Sequence, residues 1–78
     1  MKIPAIKKLL SFDLDQLIQA EKDLYDEKQT QIQIEGEDEG EQLTHVLAAI
    51  WIKEQIANGM TENEALRAYT QRVRNSIS

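Results

Sequence analysis

One run of the sequence constrains the fold most, the stretch from Glu35 to Lys53, EGEDEGEQLTHVLAAIWIK. Residues 35–41, which we call the acidic segment, hold five carboxylates and two glycines. The following residues are apolar around most of a helical circumference, at about 100° per residue. One apolar side consists of Leu43, Val46, Leu47 and Ile50, and the other of Ala48, Ala49, Ile52 and Ile56. Because a helix that is apolar all round is normally covered all round, we expect this helix to be the centre of the fold.

Local capping patterns predict the limits of the helices. Asp13 with Gln16, and Thr61 with Glu64, each have the spacing of a capping box at a helix N-terminus. Gly59 has the position of a glycine that ends the central helix. The predicted helices cover about residues 3–10, 14–27, 40–58 and 62–76.

Two short segments complete the predicted fold. Pro4 is typical of the first turn of a helix, which favours a short N-terminal helix. Residues 30–34 alternate polar and β-branched residues, as a short strand does. An extended loop that buries Ile32 and Ile34 is the alternative, and we favour it. We therefore expect an all-α fold in a single domain, 1–78, with three main helices plus a short N-terminal helix and an extended segment at 30–34.

The short turn at residues 58–60 predicts that the last two helices are antiparallel neighbours. This pairing would bury the Leu47 side of the central helix and bring Arg72 and Arg74 beside the acidic segment. Leu47→Ala would then cost about 2–5 kcal/mol. The side chains predicted to be mostly buried are Leu17, Leu24, Leu43, Leu47, Ile50, Leu66, Tyr69 and Val73.

Composition limits the classes of function. The chain has no cysteine, which excludes disulfides and fits a cytoplasmic location. Its longest apolar run, residues 46–52, is far shorter than the roughly 20 residues of a membrane-spanning helix, and the first residues do not resemble a secretory signal. The net charge of -5 would repel nucleic acids. We expect neither membrane insertion nor nucleic-acid binding.

The acidic segment and the only histidine suggest a cation site as an alternative function. The candidate metal ligands are Glu37, Asp38, Glu41 and His45. The pattern matches a calcium loop only in part, because Val46 stands where a bidentate glutamate is needed. A solvated acidic face, with His45 held by Glu41 or by a backbone group, is the interpretation we favour. No catalytic motif and no cofactor site can be assigned, so we expect a non-enzymatic protein.

The second apolar side of the central helix suggests self-association. Ala48, Trp51, Ile52 and Ile56 would form the interaction surface, with a second copy or with another protein. A chain this short buries only about 60% of its unfolded surface, and a two-fold dimer would supply the missing cover. The N-terminal helix and residues 32–34 are the competing cover for this side.

Three runs of the sequence carry a resemblance to a known family. They are the opening MKIPAIKKL, the run IEGEDEGEQLTHVLAAIWIKE from Ile34 to Glu54, and the run YTQRVRNS near the C-terminus. Together they resemble a small family of uncharacterised bacterial proteins of about this length. The resemblance implies a cytoplasmic protein and assigns no catalytic or binding residue.

Overall fold

The computed structural model describes residues 2–77, with side chains described as far as Asn75. The helices are α1 (Ile3–Leu9), α2 (Leu14–Tyr25), α3 (Glu39–Ala57) and α4 (Glu62–Ile77). Within residues 2–77 there is no strand, which confirms the all-α prediction. Residues 30–34 are an extended loop that buries Ile34 and half-buries Ile32, as the favoured alternative stated.

The predicted capping boxes position the N-termini of two helices. The Asp13 backbone N–H donates to Gln16 Oε1 at 2.9 Å, just before α2. At α4 the pair is reciprocal: the Glu64 N–H donates to Thr61 Oγ1 at 3.2 Å, and the Thr61 N–H donates to Glu64 Oε1 at 3.3 Å. These bonds satisfy backbone donors that have no partner inside the helix. The N-termini are therefore fixed by local sequence.

The C-termini of α2 and α3 share one geometry but use different residues. After α3, Gly59 has φ +108° and its N–H donates to the Ile56 carbonyl at 3.0 Å. After α2, Glu27 takes the equivalent position with φ +57° and donates to the Leu24 carbonyl at 3.2 Å. Glycine adopts this backbone region at little cost, whereas glutamate is strained there. Gly59 therefore marks the end of α3 in the sequence. The end of α2 has no such glycine, and the sequence-based prediction placed it two residues too late.

Helix α3 packs against each of the other three helices, as its sequence predicted. The molecule measures 32 × 29 × 18 Å. Packed helices lie about 8–10 Å apart, so the shortest dimension accommodates about two layers of helices. In two layers a central helix is covered on one side and along its flanks, and its remaining side faces solvent.

The side of α3 that faces the core is the second apolar side, and here the sequence-based prediction was wrong. Ala48 and Ile52 are 0% exposed, whereas Leu47 is 38% exposed. His45 is also 0% exposed and lies on the same side of α3, since it precedes Ala48 by three residues and Ile52 by seven. The helical phase predicted for the core is therefore rotated by about half a turn.

The cover over this side comes from the chain itself. His45 contacts the backbone of Lys2, just before α1, and of Glu35 in the loop, which places both segments on this side of α3. The competing cover identified in the sequence is thus the one observed. The apolar core contains Ile6, Leu9, Leu17, Ala20, Leu24, Ile34, Val46, Ala48, Ala49, Ile52, Ala65 and Leu66.

Other parts of the predicted core are confirmed or corrected by their exposure. Leu17, Leu24 and Leu66 are buried, as predicted. The half-buried members are Leu43, Ile50, Tyr69 and Val73, and the first three pack against the margin of the core.

Candidate functional site

His45 holds three parts of the chain together. Its Nδ1–H donates to the Glu35 carbonyl at 2.7 Å, and the Lys2 backbone N–H donates to its Nε2 at 3.1 Å. A carbonyl can only accept and an amide N–H can only donate, so the ring is neutral and carries its proton on Nδ1. The prediction that a backbone group holds His45 is confirmed. The ring links the start of α1 and the acidic segment to α3.

Gly36 allows the acidic segment to approach α3 closely. Its φ is +154°, and a Cβ at this position would lie 2.8 Å from Gln42 Cγ and 2.9 Å from the Gln42 backbone nitrogen. Real Cβ atoms do not approach other heavy atoms so closely. Only glycine therefore fits, and the close approach directs the neighbouring Glu35 carbonyl to His45.

A cation from α1 pairs with the acidic segment. Lys8 Nζ lies 2.6 Å from Glu35 Oε1, and both side chains are substantially exposed. The hydrogen bond from Lys8, followed by its positive charge, lowers the pKa of Glu35 below its ordinary value. The sequence had assigned this role to α4. The Arg72 guanidinium lies 5.1 Å from the centroid of the Trp51 ring, and Arg74 lines a groove between α1 and α4.

The metal candidates do not form a ligand set. Glu37, Glu41 and His45 border one concavity of about 350 Å³. Both ring nitrogens of His45 are engaged by backbone groups, and Asp38 Oδ1 accepts the Glu41 N–H at 2.7 Å as the cap of α3. One carboxylate oxygen of Glu41 is buried without a hydrogen-bond partner among the described residues. Within residues 2–77 no three acidic or histidine residues are grouped so that they could hold a metal ion.

The solvent-facing side of α3, which we call the open face, exposes apolar side chains around Leu47. Leu47, 38% exposed, is flanked by the half-buried Leu43, Ile50 and Trp51. Leu47 has no place in the core cluster, whereas its three neighbours pack against that cluster. The open face is therefore a continuous apolar strip in contact with the core below it.

An aromatic and cationic cluster borders the open face towards α4. The Trp51 and Tyr69 ring centroids are 5.8 Å apart at an interplanar angle of 51°. Arg72 lies over the Trp51 ring, in a cation–π geometry. Partial burial raises the pKa of the Tyr69 phenol, an effect that Arg72 opposes. Trp, Tyr and Arg are the residue types that contribute most to protein interfaces.

The four residues predicted to form an interaction surface are separated by the fold. Ala48 and Ile52 lie inside the core, and Ile56 is 38% exposed but lies on the side of α3 opposite Leu47. Only Trp51 lies at the open face. The surface prediction is therefore corrected, whereas self-association itself stays a prediction. Neighbouring alanines at 48 and 49 were the overlooked signal, because small residues let other segments approach a helix closely.

The fold and these surfaces define a small all-helical protein whose single histidine links three segments and whose central helix exposes an apolar strip. Within residues 2–77 no helix has both the length and the apolar character to cross a bilayer. The chain belongs to a family of unknown function (DUF6952), whose model matches residues 1–78. This match confirms the resemblance noted in the sequence. No curated protein and no solved structure shows significant similarity to the chain.

Proposed function

We propose that the protein is a non-enzymatic interaction module that forms a two-fold homodimer through the open face of α3. The observation that carries the proposal is the exposure of Leu47 in the middle of an apolar strip. Isolated surface leucines are common, but a strip that continues into the core and borders Trp51 is typical of an interface. A cytoplasmic location is part of the proposal and rests on the cysteine-free sequence.

The spacing along α3 favours a second copy as the partner. Leu43 and Trp51 each lie four residues from Leu47, one turn away on either side. A two-fold axis at Leu47 with antiparallel α3 helices would place Leu43 of each copy opposite Trp51 of the other. Such an arrangement is self-complementary, which is what an isologous interface requires.

The net charge of the chain predicts how the stability of this dimer depends on salt. Each copy carries a net charge of -5, so two copies repel at low ionic strength. Salt screens this repulsion and leaves apolar contact as the driving force. The dimer should therefore tighten as salt is added.

Sedimentation equilibrium at micromolar concentrations tests the proposal. The expected mass is twice the 9.0 kDa of one chain, falling to 9.0 kDa in Leu47→Glu. Ile56→Glu is the matched control, because Ile56 has the same 38% exposure and lies on α3 but faces the opposite way. A wild-type mass of 9.0 kDa at the highest soluble concentration would refute the dimer. Loss of the dimer in Ile56→Glu alone would assign the interface to the other side of α3.

A further inference from the structure

The charges of the chain are sharply separated along its sequence. Residues 1–12 and 65–78 contain six of the nine Lys and Arg residues and none of the 14 Asp and Glu residues. All the carboxylate side chains lie between these segments, in residues 13–64, with three lysines. The net charge of -5 therefore conceals two basic segments at the two ends of an acidic chain.

The fold brings the two basic segments together. A groove of about 550 Å³ lies between α1 and α4, and we call it the basic groove. Lys7 of α1 and Arg67 and Arg74 of α4 line it, and Ile3 and Leu66 add apolar surface. Among the described residues, no carboxylate lines this groove. The basic groove is thus a local cationic site on an acidic molecule.

The three cations of the basic groove have no counter-charge among the described residues. Lys7, Arg67 and Arg74 make no ion pair or side-chain hydrogen bond with any residue in the described part of the chain. The neighbouring Lys8 does pair, with Glu35. Like charges that lie close together without counter-charges repel each other and destabilise the fold. The chain has more carboxylates than cations, yet none of the described carboxylates lies at this groove. An external anion would supply the missing counter-charge.

The spacing of the cations indicates an elongated ligand. Arg67 and Arg74 are seven residues apart, so they lie on one side of α4 and about 10 Å apart along its axis. A single phosphate or sulfate is too small to lie beside both positions. In an extended peptide at about 3.3 Å per residue, side chains alternate between two faces, so carboxylates that face the groove together are two or four residues apart, about 7 or 13 Å, and these spacings bracket the distance between the two arginines. Guanidinium groups bind carboxylates through paired hydrogen bonds, and the amides of Asn63 and Gln71 add donors at the groove.

Other polyanions fit the basic groove less well. Binding of single-stranded nucleic acid relies on aromatic side chains that stack on the bases, and no described aromatic residue lines the groove. The aromatic pair Trp51 and Tyr69 is engaged elsewhere, beside Arg72. We propose that the basic groove binds an extended acidic segment of another protein, with carboxylates at Arg67 and Arg74 and an aliphatic side chain against Ile3 and Leu66.

The acidic segment of a second copy is a poorer occupant than that of another protein. Its backbone is fixed within its own chain, because Glu35 binds His45 and Gly36 packs closely against Gln42. Asp38 is also engaged, as the cap of α3. Docking into a second copy would require these contacts to break. The proposal is independent of the open face. Helix α1, which forms one side of the groove, lies on the buried side of α3, whereas the open face is on its solvent side.

Fluorescence anisotropy with a labelled deca-glutamate peptide tests this inference at low ionic strength. We expect binding that weakens steeply with salt, opposite to the salt dependence of the dimer. Loss of one charge-assisted contact weakens binding by about tenfold or more, and Arg67→Glu and Arg74→Glu should each do so. Lys22→Glu is the control, since it makes the same charge change on the exposed surface of α2. Circular dichroism of each variant checks that the helices persist.

Several outcomes would overturn the inference. The first is no binding at low salt, and the second is an equal loss in Lys22→Glu, which would mean non-specific attraction. Tighter binding of pyrophosphate than of the peptide would make the groove a small-anion site, and tighter binding of a deca-thymidine oligonucleotide would make it a nucleic-acid site. If Arg67→Glu, without peptide, halves the mass of a wild-type dimer, the occupant is the acidic segment of a second copy.

Discussion

The two sides of α3 are similar in apolar character but have opposite environments. Ile52 is completely buried, whereas Leu47, five residues earlier, is more than a third exposed. The buried side has small residues at 48 and 49 and a histidine with two backbone hydrogen bonds, whereas the apolar residues of the open face are all large. The comparison teaches that total hydrophobicity does not decide which side of a helix becomes the core. Close approach and hydrogen bonding do.

The largest expected effect contrasts the two sides directly. Ile52→Ala should lower the free energy of unfolding by about 2–5 kcal/mol, because it leaves a cavity in the core. Leu47→Ala should cost about 1 kcal/mol or less in the monomer, since its side chain already contacts solvent. This value is smaller than the cost of about 2–5 kcal/mol that the sequence predicted for Leu47→Ala. Urea unfolding at concentrations low enough to keep the chain monomeric measures both, and equal losses would contradict the described packing.

A second, intermediate effect concerns the hydrogen bonds of the buried side. His45→Phe keeps a ring of similar size but leaves the Glu35 carbonyl and the Lys2 N–H without their partner. The two lost partners cost about 1–3 kcal/mol each, about 2–6 kcal/mol together, and the greater apolarity of phenylalanine offsets part of this cost, so a net loss of about 2–4 kcal/mol is expected. Hydrogen exchange at Lys2 and along α1 should accelerate more than that along α4. Unchanged exchange in α1 would mean that His45 does not hold this helix.

The smallest effect lies at the exposed margin of the same contact, where Lys8 lowers the pKa of Glu35. A carboxyl with a lowered folded-state pKa stabilises the fold above its ordinary pKa and loses that contribution as pH falls through the folded-state value. Lys8→Met should therefore raise the pKa of Glu35 towards the ordinary value and flatten the acid dependence of stability. NMR titration of the Glu35 carboxyl carbon measures the shift. An unchanged titration would show that the ion pair is not formed in solution.

Three surfaces of functional interest were visible in the sequence to different degrees. The charge separation behind the basic groove can be read from the sequence, but only the tertiary structure places α1 and α4 at the two sides of one groove. The metal candidates were close in sequence, yet backbone hydrogen bonds to His45 occupy the nitrogens that a metal would need. The open face was assigned to the core because both sides of α3 satisfy the same periodicity.

The sequence by itself determined the helices, their order and the central position of α3. Helix limits depend on local contacts such as Asp13 with Gln16 and Thr61 with Glu64, which form within a few residues and are the same in any packing. Only the tertiary structure decided the rotation of α3. Hydrophobic burial is non-directional, so it does not distinguish two similar apolar sides. The choice came from contacts with distant parts of the chain. Lys2 and Glu35 reach His45 only when that side faces inwards, and the alanines at 48 and 49 leave room for such close neighbours.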